Sequence, residues 1–376
     1  MSDKQGLVIA GGGTGGHVLA GIAVADAWMK ASGPQVDGRP WVEFVGARGG
    51  MEERLVPKAG YALHVLRLGS LNQVSAGRKL KTLMQLPFAL GLSVRILLRS
   101  KPSFILGVGG YSSGPIILMA KVLRALNFLD CRIAILEQNS VPGFTNRLLS
   151  RWVDMIFTAF PGTEMRFPKK QVVLTGNPVR SAMKPLLSAE HKPFTVFVFG
   201  GSQGAMGMNT LVINSLPFLS GLAAEVKWIH QTGERDFDRV KQAYEKNSIS
   251  ARVEKFIDRM AETYAEASLL VCRAGSSTLS EVATVGRAAL FVPLPTAADH
   301  HQELNARVFS DAGAGFLVPQ NSTTGEQFAN KIKDLIHHPE ELRRVEQAVQ
   351  KFAMPGAAEK LVREFQDSRL STALRF

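Results

Sequence analysis

The chain has 376 residues, too many for one ordinary core, so two domains are expected. A hydrophobic content of 45% with near-neutral hydropathy excludes a disordered chain and an integral membrane protein. The net charge of +12 points to an anionic partner; only Cys131 and Cys272 are present, and "MSDKQG" carries no secretory signature, so a reducing, cytoplasmic setting is expected.

The first element is an apolar strand, "LVIA", followed by a glycine turn and an apolar helix, "VLAGIAVADAW". Gly11, Gly13 and Gly16 fit G-x-G-x-x-G, the spacing that lets a backbone approach a pyrophosphate at a helix N-terminus. His17 stands in the first turn of that helix, where a simple cofactor cradle has no use for it. The second strand, "WVEFVG", runs into Ala47 and Arg48 with no carboxylate for a ribose; an NADP-dependent oxidoreductase using Arg48 stays open at this point. From Arg54 to Leu129 there is no Asp or Glu, but eleven basic residues: Arg54, Lys58, Arg67, Arg78, Lys79, Lys81, Arg95, Arg99, Lys101, Lys121 and Arg124. Leu80, Leu83, Met84, Phe88, Leu90, Leu92 and Ile96 to Leu98 are interleaved with them, which suits a lipid interface better than a nucleic acid. Gln85, Pro87 and Arg95 interrupt any transmembrane span, and the alternative is a core helix pair with a solvated basic edge.

Further strands are expected at "ALHVLRL", "SFILGVG", "CRIAILE", "VDMIFTAF" and "QVVLTG". Thr175 to Pro193, rich in polar residues and proline, reads as a linker. Then "FTVFVFGGSQGAMGMNTLVINSL" repeats the opening pattern, and "VKWIHQTG", "RVEKFI", "ASLLVCRAG" and "AALFVPLP" continue a second sheet. The alternation makes the fold α/β, with two Rossmann-like parallel sheets. Ligands of such sheets gather at the C-terminal strand ends. Four more turns are expected there: "GGYSSGP", "EQNSVPG", "GGSQG" and "CRAGSSTLSE". Glu281 in the last can accept two hydrogen bonds from a ribose diol, or act as a first-turn acid on the helix dipole. "RDFD" has D-x-D spacing but reads as a solvated helix face, and the pairs His300–His301 and His337–His338 diverge on a helix, so no metal site is expected.

Taken in order, "GGTGGHV", "GVGGYSSGP", "EQN", "GNPVR", "GGSQGA", "CRAGSSTLSE" and "DHHQELNA" resemble the MurG family, the N-acetylglucosaminyltransferases that convert lipid I into lipid II for peptidoglycan. The resemblance implies a GT-B fold whose two domains face a cleft. Residues 1–180 with 356–376 would form the acceptor and membrane-binding domain, the C-terminal helix crossing back, and 181–355 the UDP-sugar domain. It implies UDP-N-acetylglucosamine as donor, with Thr14, Gly15 and Gly16 near the phosphates and transferred sugar, and Asn139 and Gln302 on sugar hydroxyls. Arg180 and Ser202 would lie near the nucleotide, Ile257 would pair with uracil through its backbone, and Ser276, Ser277, Thr278, Leu279, Ser280 and Glu281 would wrap the uridine. Tyr111 would serve the acceptor, lipid I. His17 would be the general base on the 4-hydroxyl of N-acetylmuramic acid, with inversion at the anomeric carbon, unless it only caps or packs. No cofactor and no metal are implied. The other expected partners are an anionic membrane surface and other cell-wall synthesis proteins, not nucleic acid, and the expected place is the cytoplasmic face of the cell (inner) membrane. Another UDP-sugar transferase acting on a membrane glycolipid is the alternative. Leu136 stands where the family often has His, and "LAG" follows "GGHV" in place of the common "xPG".

Overall fold

Runs such as "LVIA" and "FTVFVF" are apolar on both faces of a strand, and such strands are stable only where helices cover both sides of a sheet. A computed structural model of the chain describes residues 6–31, 40–69, 76–167, 171–180, 182–186, 193–201 and 204–373, without the side chains of 76–81, 83 and 369–373. The chain divides into two compact units, residues 1–180 with 354–376, and residues 181–353. The division falls inside the stretch read as a linker.

In the first unit the strands are β1 (Gly6–Gly11), β2 (Trp41–Ala47), β3 (Ala62–Leu66), β4 (Phe104–Gly109), β5 (Arg132–Glu137), β6 (Met155–Thr158) and β7 (Gln171–Leu174). They form one parallel sheet in the order β3-β2-β1-β4-β5-β6-β7. Its helices are α1 (Gly15–Ala31), α2 (Glu52–Lys58), α3 (Ala76–Ser100), α4 (Ser113–Ala125) and α5 (Phe144–Leu149). The chain order reverses between β1 and β4, which stay paired to their ends at Gly11 and Gly109 with a register slip between Ala10 and Gly11. That is the position where open α/β sheets hold ligands.

In the second unit β8 (Phe194–Phe199), β9 (Val226–Gln231), β10 (Ala251–Glu254), β11 (Leu269–Cys272), β12 (Ala289–Phe291) and β13 (Phe316–Leu317) form a second parallel sheet, ordered β10-β9-β8-β11-β12-β13. The reversal here lies between β8 and β11. Helices α6 (Met206–Leu219), α7 (Phe237–Lys246), α8 (Met260–Glu266), α9 (Ser276–Val285), α10 (His301–Ser310), α11 (Gly325–His337) and α12 (Pro339–Gln350) cover it. The last helix, α13 (Ala357–Ala373), belongs to the first unit: Phe365 packs edge-on against Phe104 and Phe157, and Leu361 and Val362 are buried beside α1.

Helix α3 runs unbroken through Pro87, which is exposed on its outer side. Ala89, Ser93, Ile96 and Leu97 are buried, whereas Met84 (68%) and Phe88 (80%) are exposed, as are Leu92, Arg95 and Arg99. The spacing 84, 88, 92, 95, 99 puts these five on one stripe. The side chains of Arg78, Lys79 and Lys81 lie outside the described residues. Arg124 does not belong to an open basic field, because its guanidinium forks onto Asp154. No helix among the described residues is long and apolar enough to cross a membrane.

Asp238 of "RDFD" is exposed, as the reading of a solvated face has it, whereas Asp236 corrects that reading. Asp236 is buried, accepting from Asn209 Nδ2 at 2.7 Å and from the Arg239 guanidinium. Asn209 Oδ1 in turn meets His230 Nε2 at 3.1 Å, and Tyr244 Oη lies 3.2 Å from His230 Nδ1. Burial pushes the His230 imidazole from its ordinary 6.5 down to about 3. Between those values the unfolded chain binds a proton that the folded chain refuses, so stability falls as pH drops below 6.5. Denaturant unfolding of the second unit is therefore expected to weaken between neutral pH and about pH 4.5, with a shallower pH slope in His230→Leu. An unchanged slope in that variant would assign the acid sensitivity elsewhere.

Candidate active site

The first cluster forms at the C-terminal ends of β1 and β4. Gly12 N–H donates to the Gly109 carbonyl at 3.2 Å, clasping the β1–α1 turn to the turn that carries "GGYSSGP". The approach is so close that a Cβ on Gly110 would strike the Gly12 carbonyl oxygen. His17 Nδ1 lies 3.3 Å from that same carbonyl. A carbonyl only accepts, so the neutral ring carries its proton on Nδ1 and its lone pair on Nε2. Nε2 lies over Gly109, where a Cβ would come within 2.9 Å of it. Thr14 is exposed, Gly15 and Gly16 open α1, and the first amides of a helix have no partners within it. Tyr111 stands beside Gly13, its phenol pKa raised first by burial and then by the charge of Glu52.

Glu52 was not foreseen. The second strand does end without a carboxylate, but the first residue of α2 folds back and supplies one. Glu52 is buried, accepting from Ala47 N–H at 2.8 Å and from Gly13 N–H at 2.9 Å. It therefore occupies an amide that a pyrophosphate cradle would offer, which argues against a dinucleotide in this turn. The spacing of Gly46 and Gly50 ahead of "ME" was the available signal.

At the end of β5, Glu137 is fully buried and accepts from Asn139 N–H (2.8 Å), Asn139 Nδ2 (3.2 Å), Gly143 N–H (3.0 Å) and Asn146 Nδ2 (2.9 Å). Burial still raises its pKa. This carboxylate shapes the loop that presents Asn139. Arg180 is half-buried at the exit from the first unit.

The second cluster forms at the C-terminal ends of β8 and β11. Ser202 lies outside the described residues. Gln231 Nε2 donates to the Gly201 carbonyl at 3.0 Å while its Oε1 accepts from Ile257 N–H at 2.8 Å. Gln231 thus joins the "GGSQG" turn to Ile257, whose amide is already engaged. Glu281 is the sixth residue of α9, beyond the first turn, which corrects the alternative of a first-turn dipole acid. It is buried, and Tyr264 Oη donates to its Oε2 at 3.2 Å. Tyr264 is held edge-on by Phe197 and Phe199. Leu279 sends its side chain into the core, so only its backbone is open to a ligand, and the Ser280 hydroxyl turns back to the Ser276 carbonyl. Ser277 and Thr278 are half-buried on the open side of α9's first turn, while Ser276 is buried.

Next to this lies a hollow of about 460 Å³ lined by Gly200, Gly204, Arg273, Leu294, Gln302 and Gln320, among others. Arg273 donates to the carbonyls of Val292 and Pro293, both at 2.9 Å, and to Gln320 Oε1 at 2.7 Å, and burial lowers its pKa to about 10. Gln302 Oε1 accepts from Leu294 N–H at 2.9 Å, which aims its amide NH₂ away from that bond. No group of His, Cys, Asp and Glu among the described residues is arranged to hold a metal ion.

The glycosyltransferase family 28 N-terminal domain matches residues 7–158, and the family 28 C-terminal domain matches residues 195–361. A Citrifermentans bemidjiense protein named UDP-N-acetylglucosamine--N-acetylmuramyl-(pentapeptide) pyrophosphoryl-undecaprenol N-acetylglucosamine transferase is 39% identical over 95% of this chain and 98% of its own. One of the same name from Myxococcus xanthus is 40% identical over 94% of this chain and 91% of its own. The crystal structure of Acinetobacter baumannii MurG superposes with a TM-score of 0.78 at 30% identity, over 97% of this chain and 99% of that one. This chain belongs to the MurG family. Its two parallel-sheet Rossmann-like domains are those of the GT-B glycosyltransferases, and the oxidoreductase alternative is set aside. The residues matched to the N-terminal domain include His17, Glu52, Tyr111 and Asn139; those matched to the C-terminal domain include Ile257, Ser276 to Glu281 and Gln302.

Proposed function

We propose that the chain transfers N-acetylglucosamine from UDP-N-acetylglucosamine to the 4-hydroxyl of the N-acetylmuramyl unit of lipid I, inverting the anomeric centre and giving lipid II. The near full-length identity of about 39% to proteins named for this activity carries the reading. In it, the second unit holds the nucleotide: Glu281 takes the ribose diol, Ser276 to Ser280 supply amides and hydroxyls, and Ile257 meets uracil. Because the Ile257 amide already donates to Gln231, the uracil N3–H is met by the Ile257 carbonyl, and a second bond to the amide requires Gln231 to yield. Ser202 and Arg180 serve the phosphates, with Asn139 and Gln302 on sugar hydroxyls. On the first unit, His17 Nε2 takes the proton of the attacking hydroxyl and Tyr111 serves the acceptor. Negative charge develops on departing UDP, and in this reading the opening amides of α1, Gly15 and Gly16, and the "GGSQG" turn stabilise it.

The deciding experiment measures transfer of labelled N-acetylglucosamine to a lipid I analogue, with diacylglycerol as control acceptor. Product on the analogue alone is expected. Transfer to diacylglycerol would move the reading to another glycolipid transferase.

An acceptor sugar held close to a bilayer requires the enzyme to come to the membrane. The exposed stripe Met84, Phe88, Leu92, Arg95 and Arg99 combines apolar and cationic groups suited to the cytoplasmic face of the cell membrane, where the protein acts peripherally. Each cation near an anionic surface contributes on the order of 1 kcal/mol, weakened by salt. The protein is expected to bind phosphatidylglycerol vesicles, to release them as salt rises, and to ignore phosphatidylcholine vesicles. Arg78, Lys79, Lys81, Arg95 and Arg99 changed together to Gln should abolish binding while UDP affinity holds. Equal binding to both vesicle types would return the stripe to an ordinary helix edge.

A further inference from the structure

The carbonyl that His17 contacts and the amide that Glu52 contacts are the two ends of one peptide group. Gly12 C=O and Gly13 N–H share a single planar unit and point in opposite directions across it. Glu52 Oε2 accepts from the N–H end at 2.9 Å, and His17 Nδ1 meets the C=O end at 3.3 Å. The carboxylate sits at the positive end of the peptide dipole and the imidazole N–H at the negative end. Hydrogen bonds in such a series polarise one another, so a carboxylate on the amide strengthens the carbonyl as an acceptor. We infer that Glu52 is the positioning residue for His17, acting through the Gly12–Gly13 peptide as a carboxylate does in a direct carboxylate–histidine pair.

The surrounding sequence is built around that carboxylate. A Cβ at Gly12, Gly46 or Gly50 would in each case strike the Glu52 side chain. Three glycines thus open a seat for one buried acid, whose two oxygens are each taken by a backbone amide. A hydrophobic side chain would fill the same space without leaving those amides oriented, so the choice of an acid is tied to the turn. When the acceptor hydroxyl attacks, its O–H bond breaks and the proton joins Nε2 of His17. The imidazolium then carries a positive charge that the polarised carbonyl faces through Nδ1–H. Glu52 takes no part in the proton transfer itself, and the proton leaves Nε2 for solvent afterwards.

The inference rests on the base role proposed above for His17, and its test separates the two. In ¹⁵N-histidine-labelled wild type, with His17 assigned by the signal lost in His17→Gln, the proton is expected on Nδ1 and the lone pair on Nε2. Glu52→Gln keeps the side-chain shape but cannot accept from both amides. It is expected to let the two tautomers mix and to lower kcat by about 10- to 100-fold, the loss common when the partner that orients a functional histidine is removed. The donor KM should move far less. A wild-type proton on Nε2 would overturn the inference whether or not the variant folds, and so would Glu52→Gln with unchanged kcat and tautomer. Absence of transfer by the wild type would instead count against the proposed activity, leaving the tautomer readout in place.

Discussion

His17→Ala is expected to lower kcat by about 10²–10⁴, the usual contribution of a general base, with UDP affinity nearly intact. The sugar hydroxyl that attacks is a very weak acid and gains nucleophilicity only as its proton is taken. The Nδ1 contact with the Gly12 carbonyl orients the ring, and the β1–β4 reversal places it at the C-terminal end of the first sheet. The residues proposed for uridine belong to the other unit, so removing the imidazole leaves them untouched. A variant with near-normal turnover would reduce His17 to a residue that packs against Gly109. Loss of UDP affinity in step with kcat would assign it to the donor instead.

The parts of this molecule legible in sequence are those whose cause is local. Apolar runs predict strands of parallel sheets, and all twelve expected runs contain one, the edge strands β7 and β10 being only partly buried; β13 escaped because two residues, Phe316 and Leu317, carry no pattern. Pro87 was read as interrupting a transmembrane span, and no described helix is long and apolar enough to be one; α3 itself continues past the proline, its long packed face outweighing one lost bond. Charge was harder to read. Arg124 looks like part of a basic field until Asp154, thirty residues on, is folded against it. Asp236 looks solvated in "GERDFDRVKQAYEK" because nothing in that stretch shows that Asn209, 27 positions earlier, closes on it together with Arg239. Glu52 and Tyr264 were missed for the same reason, since each acts on a group 39 or 17 positions away, across a turn that only the fold closes. His17 was visible because its partner, the Gly12 carbonyl, is five residues off.

Glu281→Ala is expected to weaken UDP and UDP-N-acetylglucosamine alike by about 1.5–3 kcal/mol, the range for hydrogen bonds to a charged group. The carboxylate is placed by two independent features. The geometry of α9 puts it one and a half turns in, and Tyr264 Oη holds one of its oxygens at 3.2 Å. Tyr264 thereby orients the carboxylate, which in the proposed reading accepts from a vicinal diol. Tyr264→Phe keeps the ring packed against Phe197 and Phe199 and removes only that hydroxyl, so the same ligands should weaken by the smaller ~0.5–1.5 kcal/mol of a single bond. The discriminating ligand is 2′,3′-dideoxy-UDP. If Glu281 holds the diol, wild type and Glu281→Ala should bind this analogue equally, because the lost acceptor has nothing to receive. Calorimetry that finds UDP affinity unchanged in Glu281→Ala would leave the acid a structural partner of Tyr264. An analogue that still senses the substitution would place the carboxylate against some other part of the nucleotide.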